Sequence, residues 1–184
     1  MAVPEAKLEP SDAGLVAASE GWFVVNLRDA AWVTSPVLGD ACIFEGDVPF
    51  PELGFTIAVL QPGQSGGRYH WEDAQENFLV LQGECIAVID GQERRLKEWD
   101  FVHCPGGTEH GFVGAGEGPC VIFMSGSRSH PRSGVYTRNE LAIRLGVGVE
   151  QETREPREAY APFPPWQPGQ PASFEGLPWD IGIG

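Results

Sequence analysis

The chain has 184 residues, 42% of them hydrophobic, and its 12 Lys+Arg against 26 Asp+Glu leave a net charge of −14. That length suits one domain with its own core plus extended arms, and folding buries roughly 70% of the unfolded chain's surface without a disulfide staple. A chain this acidic repels phosphate backbones and anionic lipid, which excludes nucleic acid and membrane surfaces as partners, and no run approaches the ~20 apolar residues of a bilayer span.

Residues 1–20 read as an N-terminal arm, with one helical turn expected after Ser11-Asp12. This segment lacks a basic stretch followed by an apolar one, so no export signal is expected and the location is expected to be cytoplasmic. Cys42, Cys85, Cys104 and Cys120 are too far apart for a C-x-x-C pair and are expected to stay reduced.

From Trp22 the texture changes to short apolar runs separated by Gly, Pro and Asp. They are "WFVVNL" (22–27), "ACIFEG" (41–46), "FTIAVL" (55–60), "NFLVLQG" (77–83), "CIAVIDG" (85–91), "RRLKEWDFVHCP" (94–105), "HGFVGAG" (110–116) and "CVIFMSG" (120–126). Runs of this length, rich in Val, Ile and Phe, predict strands, and Asp90-Gly91 between two of them predicts a hairpin. Near-regular spacing without a long helical pattern predicts an all-β sandwich or barrel. Continuously apolar runs predict strands covered on both faces. "GAGEGP" (114–119) has no helix after it to hold an anion and reads as a hairpin turn.

The strand pattern stops after Arg128, and residues 129–184 read as a C-terminal extension flanking a barrel at 21–128. "TRNELAIRLG" (137–146) predicts a short helix, with Thr137 and Glu140 at capping-box spacing and Gly146 as its stop. "REPREAY" (154–160) predicts one more turn. The proline-dense tail that follows cannot be regular structure, yet Phe163, Trp166 and Trp179 predict that it docks on the barrel or on a second copy.

The chemistry concentrates in two stretches. In "RYHWEDAQENFLVLQGE" (68–84), His70 and Glu72 are two apart on an extended segment and face the same side, and Glu76 has the same parity. An imidazole with two carboxylates suits Mn, Fe, Co, Ni or Zn better than a soft ion. In "WDFVHCPGGTEHGFVG" (99–114), Pro105 ends one strand, two glycines permit a tight turn, and His110 opens the next strand.

These two stretches resemble the paired motifs of the cupin superfamily. The first family motif reads G-x5-H-x-H-x3,4-E-x6-G; here His70, Glu76 and Gly83 match it, Glu72 stands where the second His is usual, and Gln64 replaces the first Gly. The second reads G-x5-P-x-G-x2-H-x3-N; Pro105, Gly107 and His110 match, while Trp99 and Gly114 replace the terminal Gly and Asn. The resemblance covers residues 55–125. It implies a small single-domain barrel, a cupin-type jelly roll (double-stranded β-helix), with a divalent metal bound in the mouth by His70, Glu76, His110 and, as a departure, Glu72. Four ligands would neutralise a divalent cation. Three would leave open positions and free Glu72 as a catalytic base.

What the resemblance implies about function is a metal-dependent enzyme of oxygenase, isomerase, decarboxylase or lyase type acting on a small polar molecule. The alternatives are a non-catalytic metal- or ligand-binding barrel, and a metal-free isomerase using a His with Tyr69, Tyr136 or Tyr160. Small cupin barrels also imply a homodimer. Outside the motif residues, Cys104 reads as a small buried residue near the cavity and Cys42, Cys85 and Cys120 as core. His103 reads as satisfied by a hydrogen bond, and His130 as loop. Trp71 reads as a mouth wall or a packing residue, and Arg68 and Tyr69 as rim residues able to meet an anion.

Overall fold

The computed structural model describes residues 2–128 and 133–180. The expected loop position of His130 therefore lies outside the described residues. A short hairpin comes first, β1 (Leu8–Ser11) and β2 (Gly14–Ala17), followed by β3 (Ala31–Ser35), β4 (Gly39–Ile43) and β5 (Leu53–Leu60). Next come β6 (Trp71–Glu72), β7 (Glu76–Gln82), β8 (Glu84–Ile89), β9 (Gln92–Lys97) and β10 (Phe101–Cys104). The last strands are β11 (His110–Ala115), β12 (Cys120–Ser127), β13 (Gly134–Val135) and, after helices α1 (Glu140–Arg144) and α2 (Pro156–Ala159), β14 (Gln167–Pro168).

Strands pack in two main antiparallel sheets. The larger has the order β10-β7-β12-β5-β4-β3-β14 and the smaller β11-β8-β9. Phe78, Val80 and Ile122 from the first sheet meet Cys85, Ala87 and Phe112 from the second in a buried cluster between them. The outer faces are covered too. Trp32, Ile57 and Val121 lie under Phe174, Leu177 and Trp179 of the tail, and Val88 and Val113 pack with Ala142 of α1. Covering on both faces is why strands such as β5, β8 and β12 read as continuous apolar runs, whereas β9 is polar and exposed. The architecture is the all-β jelly roll expected from the sequence, and no helix among the described residues is long and apolar enough to cross a membrane.

Local chemistry explains the turns. Asp90 and Gly91 both have positive φ, 45° and 70°, the conformation of a two-residue hairpin turn that joins β8 to β9. The helix expected at 137–146 forms and Gly146 ends it at φ 81°, but Asn139 caps it instead of Thr137. Its Oδ1 accepts from the N–H groups of Leu141 and Ala142 at 3.0 and 3.1 Å, a reach that residue 137 lacks. The turn expected at 154–160 is α2.

Besides the cap, three expectations fail. No helical turn follows Ser11: its hydroxyl donates to the Gly14 carbonyl at 2.7 Å and closes the β1–β2 hairpin. Residues 22–27 are not a strand, because Asn26 turns the chain and the segment packs beside Trp32, whose indole donates to the Leu27 carbonyl at 2.8 Å. The tail is not wholly irregular, since Gln167 and Pro168 add an edge to β3. Docking of the tail on the barrel is as expected: Trp179 and Phe174 each lie 5.9 Å from the Trp32 ring.

Candidate metal centre

His70 and His110 face each other across an antiparallel bridge, with His70 N–H donating to the His110 carbonyl at 3.1 Å and the reverse bond at 2.8 Å. Residues paired in this way project side chains to the same face, so the rings end 5.0 Å apart between the two sheets. The glycine turn after Pro105 fixes the approach. Gly107 N–H donates to the Glu72 carbonyl at 2.7 Å, and a Cβ on Gly106 would stand 2.3 Å from the Asp73 carbonyl, so only glycine lets the second motif lie on the first. Glu76 enters from the opposite sheet at the first position of β7.

One nitrogen of each imidazole is committed. His70 Nδ1 donates to the Arg68 carbonyl at 2.7 Å and His110 Nδ1 to the Thr108 carbonyl at 3.0 Å. A carbonyl only accepts, so Nε2 of each neutral ring carries a bare lone pair directed away from those bonds. His110 Nε2 lies 3.2 Å from Glu76 Oε2, and one donor atom from each of His70, Glu76 and His110 falls within 4.8 Å of the others. Glu72 is outside that set of three, with Oε1 3.7 Å from His70 Nε2. Burial pulls the His70 pKa down, but the hydrogen bonds to Glu72 and the Arg68 carbonyl and the charges of Glu76 and Glu72 outweigh it and raise it above the usual imidazole value.

The residues fit a cation. Two ligands held ~2.1 Å from one ion are about 3–3.5 Å apart, and the His110–Glu76 pair already has that spacing. Carbonyl-anchored imidazoles are the usual outer support of such ligands. Beside them lies a cavity of about 190 Å³, whose lining includes Glu72 and Glu76 together with Thr56, Phe78 and Met124.

The other expectations resolve residue by residue. Cys104 is buried in the inner core, and burial pushes its thiol up to about 11; Cys42, Cys85 and Cys120 are buried in the strands. His103 points away from the site and meets Asn77 Oδ1 at 2.8 Å. Arg68 and Tyr69 are not rim residues: both are buried, Arg68 Nε donates to the Ala159 carbonyl at 2.9 Å, and the Tyr69 hydroxyl donates to Glu109 at 2.7 Å. Trp71 pairs with Val135 in β6. Of the three tyrosines, Tyr136 is the one whose ring meets His70, at 5.5 Å. Arg128, which lines the cavity, had drawn no functional reading from the sequence; its only signal was its place just past a Ser-Gly-Ser strand end.

Trp99, at a glycine position, takes φ 71°, a left-handed conformation that glycine adopts freely, and nothing in the structure explains a Trp there. The two other replacements have physical causes. Gly114 replaces Asn because a Cβ there would meet the Gln61 carbonyl at 2.3 Å. Gln64 replaces Gly and uses its amide to bind Gln61 N–H at 2.8 Å and the Pro36 carbonyl at 3.1 Å.

Residues 56–126 match the family described as "Cupin domain". No curated protein matches the chain. Among solved structures, a sugar phosphate isomerase from a cupin superfamily of Silicibacter pomeroyi is 18% identical over 72% of this chain and 92% of its own, with TM-score 0.55. The polyketide cyclase RemF from Streptomyces resistomycificus is 16% identical over 60% and 83%, with TM-score 0.50. A matched structure from Acidithiobacillus ferrooxidans is 21% identical over 46% of this chain, with TM-score 0.42, and the chain spans only 54% of its length. At these identities the first two likenesses establish the fold alone.

Proposed function

We propose a function from one premise: this chain belongs to the cupin superfamily. It holds one divalent cation of the Mn, Fe, Co, Ni or Zn type through His70 Nε2, His110 Nε2 and a Glu76 carboxylate oxygen, and acts on a small polar molecule in the adjoining cavity. One observation carries the reading. With Nδ1 of His110 spent on Thr108, its bare Nε2 faces a carboxylate oxygen at 3.2 Å, acceptor against acceptor, and only a proton or a cation satisfies both.

A bound cation supplies Lewis-acid polarisation of a substrate oxygen. The chain's own residues supply the rest. Glu72 stays off the ion and accepts or returns a proton beside it, since its carboxylate lines the cavity within 3.7 Å of His70 Nε2. Phe78 and Met124 wall the pocket and limit water, and the ring of Tyr136 backs His70. Proton transfer beside a polarised oxygen places the reaction among isomerase or lyase chemistries.

The test is elemental analysis of protein purified without chelator from metal-replete medium. About one ion per chain is expected in the wild type, with His70→Ala and His110→Ala each losing most of it while retaining β-sheet circular dichroism. A wild-type protein without bound ion would end the reading.

A further inference from the structure

We infer that the cavity takes an oxyanion, a carboxylate or phosphate group carried by the small substrate, and that Arg128 receives it. This deepens the proposed function and rests on it.

The floor of the cavity is a row across three strands. Glu76 on β7 pairs with Gly126 on β12, and Gly126 pairs with Gly54 on β5. Paired residues in neighbouring strands face the same side, so the row that begins with the Glu76 carboxylate continues as two positions without side chains. At ~4.8 Å per strand the bare stretch runs about 10 Å. The guanidinium of Arg128 closes its far end: a Cβ at residue 54 would stand 2.8 Å from both Nε and Nη2. Arg128 takes this place because residue 54 has no side chain.

Among the described residues that line the cavity, Arg128 is the single basic one, alongside Glu72 and Glu76, in a chain with only 12 Lys+Arg. Its bonding is one-sided. Nη1 meets the Glu45 carboxylate and donates to the Phe50 carbonyl at 3.3 Å. Nε is buried with no partner among the described residues, and none of the hydrogen bonds to described residues uses Nη2. A rim tether holding residues 45–52 needs Nη1 and the backbone bond from Arg128 N–H to the Glu52 carbonyl, and it leaves the Nε–Nη2 edge idle. That edge is the fork that binds carboxylate and phosphate oxygens two at a time. With a cation neutralising Glu76 at one end and a guanidinium at the other, the bare floor suits a small molecule with an oxygen ligand at its head and an anionic group at its tail.

The experiment uses full-length protein loaded with Mn²⁺, with manganese content measured on every sample. Inorganic phosphate and, separately, malonate are titrated calorimetrically, so the two arms tell phosphate from carboxylate. Binding of at least one probe is expected, weakened about tenfold or more in Arg128→Gln and partly restored in Arg128→Lys. Gly126→Ala is expected to fold normally, since the new Cβ lies 3.6 Å from Glu76 Cγ, and to weaken the same probe by obstructing the floor. Glu45→Gln, which breaks the tether but spares the fork, is expected to bind within about twofold of wild type or tighter. Equal anion binding by wild type and Arg128→Gln at full manganese would overturn this inference alone, as would an equal loss in Glu45→Gln and Arg128→Gln. Absence of manganese from the wild type would overturn it together with the proposed function.

Discussion

Glu76→Gln separates a cation site from a merely polar one because it moves stability in opposite directions with and without metal. With Nδ1 of His110 donating to Thr108, the neutral ring leaves His110 Nε2 and Glu76 Oε2 as two acceptors 3.2 Å apart. The substitution turns an amide N–H toward Nε2 and converts that contact into a hydrogen bond worth about 1 kcal/mol. In a chain of this size that raises Tm by about 2–4 °C in chelator. With metal at a hundredfold excess over Kd, the wild type gains about 2.7 kcal/mol, or roughly 5–11 °C on the same conversion. The neutral amide is a weaker ligand, and a tenfold loss of affinity removes about 1.4 kcal/mol of that gain. The variant therefore melts above wild type in chelator and below it in excess Mn²⁺ or Zn²⁺, read by scanning calorimetry. An unchanged order, or equal metal-induced shifts in the two proteins, would refute the reasoning.

The other expectations are narrower. Glu72→Gln is expected to keep about one ion per chain while lowering kcat on any substrate by roughly a hundredfold or more; loss of the ion would make it a ligand instead. His70, its pKa raised above 6.5 in the fold, contributes stability that is fully present below that value and lost as pH rises through the folded one. Tm in chelator should therefore fall across that window, while the metal-induced increment grows because protons compete less for Nε2; increments that shrink with pH would contradict this. Burial holds Cys42 near 12 and Cys104 near 11, so no thiol should react with Ellman's reagent at pH 8 until denaturant is added. Trp99 is exposed with φ 71°, and Trp99→Asn should gain about 1 kcal/mol in urea unfolding by relieving left-handed strain; a loss would mean the ring has a packing partner.

How legible the fold was depended on the range of the forces involved. β7, β8, β11 and β12 were readable because burial writes apolar runs, and Asp90-Gly91 is local turn chemistry; β9 and β10, largely exposed, were read as one run, 94–105. β3 was missed and residues 22–27 misread because both are apolar; the Asn26 turn and the packing around Trp32 decide which one pairs. At α1 the capping-box spacing pointed to Thr137, while Asn139 lay within reach of the same N–H groups. The candidate site divides in the same way. Residue parity and the Pro105–His110 turn put His70, Glu76 and His110 on one list, but not Arg128, whose role depends on a glycine 74 residues away.

The sequence by itself determined an acidic, two-face-buried β architecture and the residue types able to meet a cation, because hydrophobic period, turn chemistry and ligand character are properties of neighbours in the chain. Tertiary structure alone decided that Arg68 and Tyr69 are buried supports, that each imidazole spends Nδ1 on a carbonyl, and that Glu72 stands beside the trio. It also laid the bare floor between Glu76 and Arg128. Those facts come from strand register across two sheets, where a single step would turn a side chain from the cavity to the opposite face.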